Sequence, residues 1–113
     1  MARIGNSTLS LGLTAAGPVT ANRFVGFDNA QVAAAGGKAK GVAEYAAAAG
    51  QPLAVTAKGT AFVETGGTFN PGDLITSDAQ GRAIASAQAT DFIKGEALDP
   101  STAPGQYVEI MLR

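Results

Sequence analysis

Residues 59–83 constrain the fold of this chain more than any other segment, because three short runs of strand-forming residues alternate there with turns that contain glycine. Asn70-Pro71-Gly72-Asp73 has proline and glycine at the central positions of a type II turn, which need φ near −65° and then a positive φ. Residues 78–81 fit a type I turn closed by glycine. The segment therefore predicts a tightly turned β-meander, with structural turn residues at Pro71, Gly72, Asp73 and Gly81.

Alternating or apolar-rich runs elsewhere predict further strands. Four alanines at 46–49 favour helix locally, but Gly50 and Pro52 follow at once, so we expect a single turn there. Residues 85–91 fit either a helical turn or a loop. The predicted strands, in addition to 60–64, 74–76 and 83–84, are 8–14, one or two within 19–28, 31–34, 39–45, 53–57, 92–98 with an interruption at Gly95, and 107–112.

Strands at this spacing predict an all-β fold, a small compact β-barrel or β-sandwich with glycine-rich turns. Leu, Ile, Val and Phe make up only about a fifth of the residues, close to the level below which chains tend to be disordered. Disorder also needs a high net charge, and this chain carries −1. We expect a folded domain with an alanine-rich core, which gains stability by burying more surface against a partner.

The composition argues against most catalytic and cofactor chemistry. The chain has no cysteine and no histidine, which removes thiolate nucleophiles, zinc–thiolate sites and the commonest general base. No apolar run has the length of a membrane span, and the first residues do not form a secretory signal. The near-neutral charge argues against nucleic-acid binding. We therefore expect no enzyme activity, no cofactor and no metal.

The first 14 residues differ from the rest and predict a flexible N-terminal arm, followed by one β domain at 15–113. The arm begins with small and polar residues, and a breaker cluster at 15–18 follows it. Leu9, Leu11 and Leu13 alternate onto one face of a strand. They either pack on the domain itself or, with Ile4, add a strand to another protein's sheet edge.

Weak motifs for other functions have structural explanations. Gly36-Gly37-Lys38 lacks the remaining residues of a phosphate-binding loop and fits a hairpin turn. Asp73 and Asp78 fit turn positions better than a calcium site, which needs six to eight oxygens. Lys38 and Lys58 lack the hairpin setting of the modified lysine in biotinyl and lipoyl carriers. Glu96 and Asp99 form only a weak carboxylate pair.

A series of glycines and strand residues extends through the chain from residue 8 to residue 113. It comprises Gly41-Val42-Ala43, Ala49-Gly50-Gln51-Pro52-Leu53-Ala54-Val55, Gly59, Val63-Glu64, Gly67, Pro71-Gly72-Asp73-Leu74, Thr76-Ser77-Asp78, Gly81-Arg82-Ala83, Gly95-Glu96-Ala97-Leu98 and Val108-Glu109-Ile110. This series resembles tailed-phage capsid cement proteins, small head decoration proteins similar in role to the lambda-type decoration protein.

The resemblance implies a compact β domain, usually a homotrimer, that is made in the host cytoplasm and binds the outer surface of the phage head. There it stabilises the expanded shell, with the major capsid protein as its partner. An N-terminal arm commonly reaches into the capsid protein's sheet, and residues 2–14 match that role by position. The alternatives are a biotinyl- or lipoyl-like carrier or other accessory β domain, and an adhesin-type β-sandwich displayed on the particle.

Overall fold

The computed structural model describes residues 7–113, and every regular element in that range is a β-strand. This confirms the predicted all-β fold. No helix able to span a membrane occurs among these residues. The strands are β1 (Ser7–Thr14), β2 (Phe24–Val25), β3 (Gly41–Ala43), β4 (Pro52–Glu64), β5 (Leu74–Ser77), β6 (Ala83–Ala85), β7 (Gly95–Ala97) and β8 (Tyr107–Leu112).

Five of these strands form a nearly closed barrel in the order β4-β8-β7-β5-β6, and every strand pair along this path is antiparallel. A short parallel bridge between Thr65 and Ala83 connects β6 back to the end of β4. The Gly66 N–H donates to the Ala83 carbonyl at 2.8 Å and strengthens this closure. The barrel leaves few unpaired strand edges in this part of the sheet.

The long strand β4 connects the barrel to a second, smaller group of strands. Its second half pairs with β8, whereas its first half pairs with β1, and Thr56 and Val55 pair with β3. The sequence predicted two strands here, at 53–57 and 60–64, but the structure has one. Gly59 has φ +98°, and the pairing with β1 shifts register beside it. A glycine tolerates this conformation, so the strand bends at Gly59 without ending.

Two hydrophobic cores correspond to these two groups of strands. The larger one fills the barrel and includes Phe24, Val63, Ile75 and Ile110, all fully buried. The smaller one lies under the first half of β4, and Leu13 of β1 packs against its edge. Its buried members are Ala15, Val19, Val25, Ala43, Ala47, Leu53 and Val55.

Residues 19–34 contain less strand than the sequence predicted. Only Phe24–Val25 form a strand, and Gln31 makes a single bridge to Val25. Phe24 and Val32 are nevertheless buried in the larger core. Val32 fills the barrel from a loop, and an apolar residue in such a loop looks the same in sequence as one in a strand. Residues 46–49 form no helix, as predicted, and Ala47 bridges to Val19.

Candidate functional site

One face of the barrel sheet exposes large apolar side chains instead of covering them. Along β8, Val108, Ile110 and Leu112 point into the larger core, and of the alternate residues Tyr107 and Met111 are exposed whereas Glu109 is buried. Tyr107 is 59% exposed and Met111 is 50% exposed. An antiparallel sheet with one face toward solvent normally carries polar residues on that face. The exposed apolar side chains of Tyr107 and Met111 therefore indicate a contact surface.

The neighbouring strands extend this surface. Met111 pairs with Thr60 of β4 on one side and with Glu96 of β7 on the other, and Glu96 pairs with Leu74 of β5. Directly paired residues share a face of a sheet, so these four form one row across it. Leu74 is 44% exposed, and Leu98, just beyond β7, is 37% exposed. We call the surface of Leu74, Leu98, Tyr107 and Met111 the exposed sheet face.

Tyrosine and methionine are enriched at protein–protein interfaces, where they supply much contact area. No residue of this face was predicted from the sequence as a binding residue. The signal was present, because Tyr107 and Met111 occupy the outward positions of a strand whose alternation was recognised.

Positive charge borders this face at the end of β8. The row Gly59–Leu112–Gly95 crosses β4, β8 and β7, and the next row along the same strands contains Lys58, Arg113 and Lys94, which we call the basic row. The Arg113 N–H donates to the Lys94 carbonyl at 2.7 Å. Lys94 is only 7% exposed. Its burial, and then the positive charge of Lys58, lower the pKa of Lys94 below the ordinary lysine value.

The leucines of the predicted arm lie in β1. Residues 7–14 pair with β4 along their length, with Leu11 opposite Val55, Leu13 opposite Leu53 and Leu9 opposite Lys58. Leu13 packs against the smaller core, Leu11 is half-buried, and Leu9 is 41% exposed. Ile4 lies outside the described residues.

Among residues 7–113, β4 is the one strand that pairs with β1. β1 therefore has an edge that is free of any strand in the described part of the chain. Such an edge presents backbone N–H and C=O groups to which another protein's strand can add. The exposed Leu9 lies at the end of this edge that is nearest to Lys58.

The predicted turn residues lie in two tight turns. Gly72 has φ +88°, and the Asp73 N–H donates to the Asn70 carbonyl at 3.1 Å, which closes the turn. The Asp73 carboxylate accepts the Asn70 N–H at 2.9 Å. Gly81 has φ +75°, and its N–H donates to the Asp78 carbonyl at 3.3 Å. The Asp78 carboxylate accepts the N–H groups of Gln80 and Arg82 at 2.8 Å, and it also pairs with the Arg82 guanidinium at 2.9 Å.

The described residues offer little for catalysis. No group of three or more acidic, histidine or cysteine side chains among residues 7–113 is placed to hold a metal ion. Lys58 lies within β4 rather than in a hairpin. An open groove beside Phe27 and Lys38 is lined mainly by small residues of the 26–38 loop. The features that stand out are therefore contact surfaces: the exposed sheet face, the basic row and the free edge of β1.

Comparisons with known proteins agree with this description. A family model described as phage cement protein matches residues 2–112. Among solved structures, the chain is similar to the crystal structure of the head fiber gp8.5 N base in bacteriophage phi29. The identity is 20%, 93% of each chain is covered, and the TM-score is 0.73. At this identity the likeness shows a shared fold. A comparison with curated protein sequences gives no match.

Proposed function

Because this chain belongs to the phage cement protein family and so decorates the outer surface of a phage capsid, we propose that the free edge of β1 anchors it to the major capsid protein. The observation that supports this proposal is the one-sided pairing of β1 with β4. A capsid strand that pairs with the open side gains main-chain hydrogen bonds, and the side chains of β1 select the partner.

Some side chains of β1 pack within the domain, and others are exposed and can contact a partner. Leu13 packs against the smaller core, and the side chain of Leu11 is half-buried in the domain. Leu9 is 41% exposed, so its side chain has solvent-accessible apolar surface that a partner can cover. We include Ile4 in the contact because it is an apolar residue three positions before β1 in the sequence. The N-terminal 14 residues thus serve the capsid contact while the β domain at 15–113 forms the body.

A homotrimer extends the same proposal. A domain with an alanine-rich core has limited internal burial, and the exposed sheet face provides apolar area for contact between copies. Linked copies bind a lattice more tightly than single copies, since the second and third contacts are intramolecular. The molar mass of the free protein in solution tests this point. A mass three times that of one chain supports the trimer, and the mass of a single chain contradicts it.

The proposed role is structural, without catalysis. This proposal is supported by the absence of histidine and cysteine from the sequence. It is also supported by the absence, within residues 7–113, of any side-chain cluster that could hold a metal ion. Titration calorimetry with calcium or with a nucleotide is expected to give no heat of binding. A signal at low micromolar affinity for either ligand contradicts this proposal.

The anchor is tested with matched charge insertions on two exposed apolar residues. Leu9→Glu places a charge on the free edge of β1, and Phe27→Glu places the same charge on the 26–38 loop, where Phe27 is 62% exposed. Both variants are expected to melt like the wild type because both side chains are exposed. Only Leu9→Glu is expected to lose occupancy on purified expanded heads in a sedimentation assay. Full occupancy with Leu9→Glu contradicts the β1 anchor.

A further inference from the structure

Three cations occupy one cross-strand row in a chain whose net charge is −1. Lys58, Arg113 and Lys94 follow directly after the paired residues Gly59, Leu112 and Gly95. Like charges in neighbouring positions of a sheet repel each other and destabilise it. A row of this composition therefore needs an explanation other than the stability of the isolated fold.

The side-chain carboxylates of the described residues neutralise this row only in part. Glu96 pairs with Arg113 at 3.2 Å, and it is the one described carboxylate that forms an ion pair with any of the three cations. The Lys94 ammonium donates to the main-chain oxygen of Arg113 at 2.9 Å, so this ammonium already has an acceptor within the chain. Lys58 is exposed and forms no ion pair or side-chain hydrogen bond within residues 7–113.

The surroundings of the row indicate which kind of anion fits it. Leu9 lies opposite Lys58, and Met111, which precedes Arg113 on the outward side of β8, is half-exposed. Exposed apolar side chains beside a few charges are typical of the rim of a protein–protein interface. A nucleic acid, in contrast, is bound through many phosphate contacts on a broad basic surface. Here Glu96 lies beside the row and would repel a polyanion.

We propose that the exposed Lys58, next to the buried Lys94, binds an aspartate or glutamate of the major capsid protein at a site beside the β1 anchor. This inference rests on the proposed function and adds the chemistry of the contact. A partner carboxylate at Lys58 gains a charge-assisted hydrogen bond and removes the repulsion between the two lysines. The site also fixes where the capsid strand begins along β1, since Leu9 and Lys58 are paired.

The experiment compares two lysine reversals on the same chain. Lys58→Glu reverses the charge in the row, and Lys38→Glu makes the same change at an exposed lysine in the 36–38 turn. Binding to purified expanded heads is measured by sedimentation at ionic strengths of about 0.05 M and about 0.5 M, since salt screens exposed charges. Lys58→Glu is expected to weaken binding about tenfold at low salt and less at high salt, while Lys38→Glu binds like the wild type.

A third variant, Lys58→Arg, keeps the charge and is expected to retain binding. Unchanged affinity with Lys58→Glu overturns the carboxylate site, and the β1 anchor then still stands if Leu9→Glu loses occupancy. Equal losses of affinity for heads with Lys58→Glu and Lys38→Glu also overturn the site, because the loss would then depend only on the net charge of the protein. If the wild-type protein binds DNA more tightly than it binds expanded heads, the row is a phosphate-binding site. That outcome also contradicts the proposal.

Discussion

Gly95 of β7 lies so close to Met111 of β8 that a Cβ on Gly95 would overlap the Met111 carbonyl oxygen. The two strands pair at this point, with Gly95 opposite Leu112. The absence of a side chain thus lets β7 approach β8 closely enough to continue the barrel. The sequence analysis predicted that Gly95 interrupts a strand at 92–98, and this was wrong. Gly95 is the first residue of β7, and it pairs with Ile75 as well as with Leu112.

Gly95→Ala is expected to destabilise the protein by about 2 kcal/mol or more, because backbone must move to admit the methyl group. Gly12→Ala is the matched control, since Gly12 also lies in a strand but has no atom within 4 Å of the position that a Cβ would take. Chemical denaturation measures both free energies of unfolding. Equal values for Gly95→Ala and the wild type would contradict the close approach of β7 and β8.

The parts of the fold that the sequence predicted well are those in which alternation and burial coincide. β8 has the predicted bounds because Val108, Ile110 and Leu112 alternate into the core, while Tyr107 and Met111 between and beside them are exposed. The turn around Gly72 was predicted because only certain residues adopt its φ values. Gly59 and Gly95 were misjudged for one reason: a glycine that bends or brings together paired strands looks the same in sequence as one that ends a strand.

The candidate site was predicted only in part, and the cause is again physical. Leu9, Leu11 and Leu13 were recognised as one face, but sequence does not show which strand they pair with. The basic row could not be predicted from the sequence. Lys58, Lys94 and Arg113 are far apart in the chain and become neighbours only through the pairing of β4, β7 and β8.

Gly72→Val is expected to lower the melting temperature by several degrees. Gly72 has φ +88°, a region that costs a residue with a Cβ about 1 kcal/mol or more, and this is greatest for a β-branched residue. A Cβ at this position would meet no atom within 4 Å, so the loss reports backbone strain alone. Gly72→Asn is the control and is expected to lose less, since asparagine tolerates a positive φ. An unchanged melting curve for Gly72→Val would show that the turn is not required.

Lys94→Met is expected to stabilise the isolated protein at neutral pH, with an advantage that shrinks at alkaline pH. Burial, and then the charge of Lys58, lower the pKa of Lys94 below its ordinary value of 10.5. Below the lowered pKa the lysine is charged in both states, and folding carries the full cost of burying that charge. Between the lowered pKa and 10.5, unfolding takes up a proton, so the free energy of unfolding of the wild type rises relative to that of Lys94→Met.

The measurement is the difference in free energy of unfolding between the wild type and Lys94→Met from pH 7 to about pH 11, which spans the ordinary lysine range. The difference isolates Lys94, because every other ionisable group is present in both proteins. Lys58→Gln is the companion variant, and it is expected to reduce the pH dependence by removing the neighbouring charge. A difference that stays constant with pH would show that the pKa of Lys94 is not lowered in the folded protein.

Two truncations separate the contribution of β1 to the fold from its contribution to capsid decoration. Removal of residues 2–6 takes away none of the core residues identified within residues 7–113, so the melting temperature is expected to stay within a few degrees of the wild type. Removal of residues 2–14 takes away β1, whose Leu13 packs against the smaller core and which pairs with β4. This truncation is expected to lower the melting temperature by roughly ten degrees or more.

On expanded heads, the shorter truncation is expected to reduce occupancy and the longer one to abolish it, because only the longer one removes the free edge. Ordering a capsid strand along that edge costs roughly 1–2 kcal/mol per residue, so the paired contacts must outweigh this cost. Circular dichroism at the assay temperature first establishes that each truncated protein is folded. If the folded protein without residues 2–14 still decorates heads at full occupancy, β1 is not the anchor, and the exposed sheet face becomes the surface to mutate next. If removal of residues 2–6 alone abolishes decoration, the anchor lies before β1 and includes Ile4 rather than the edge of the strand.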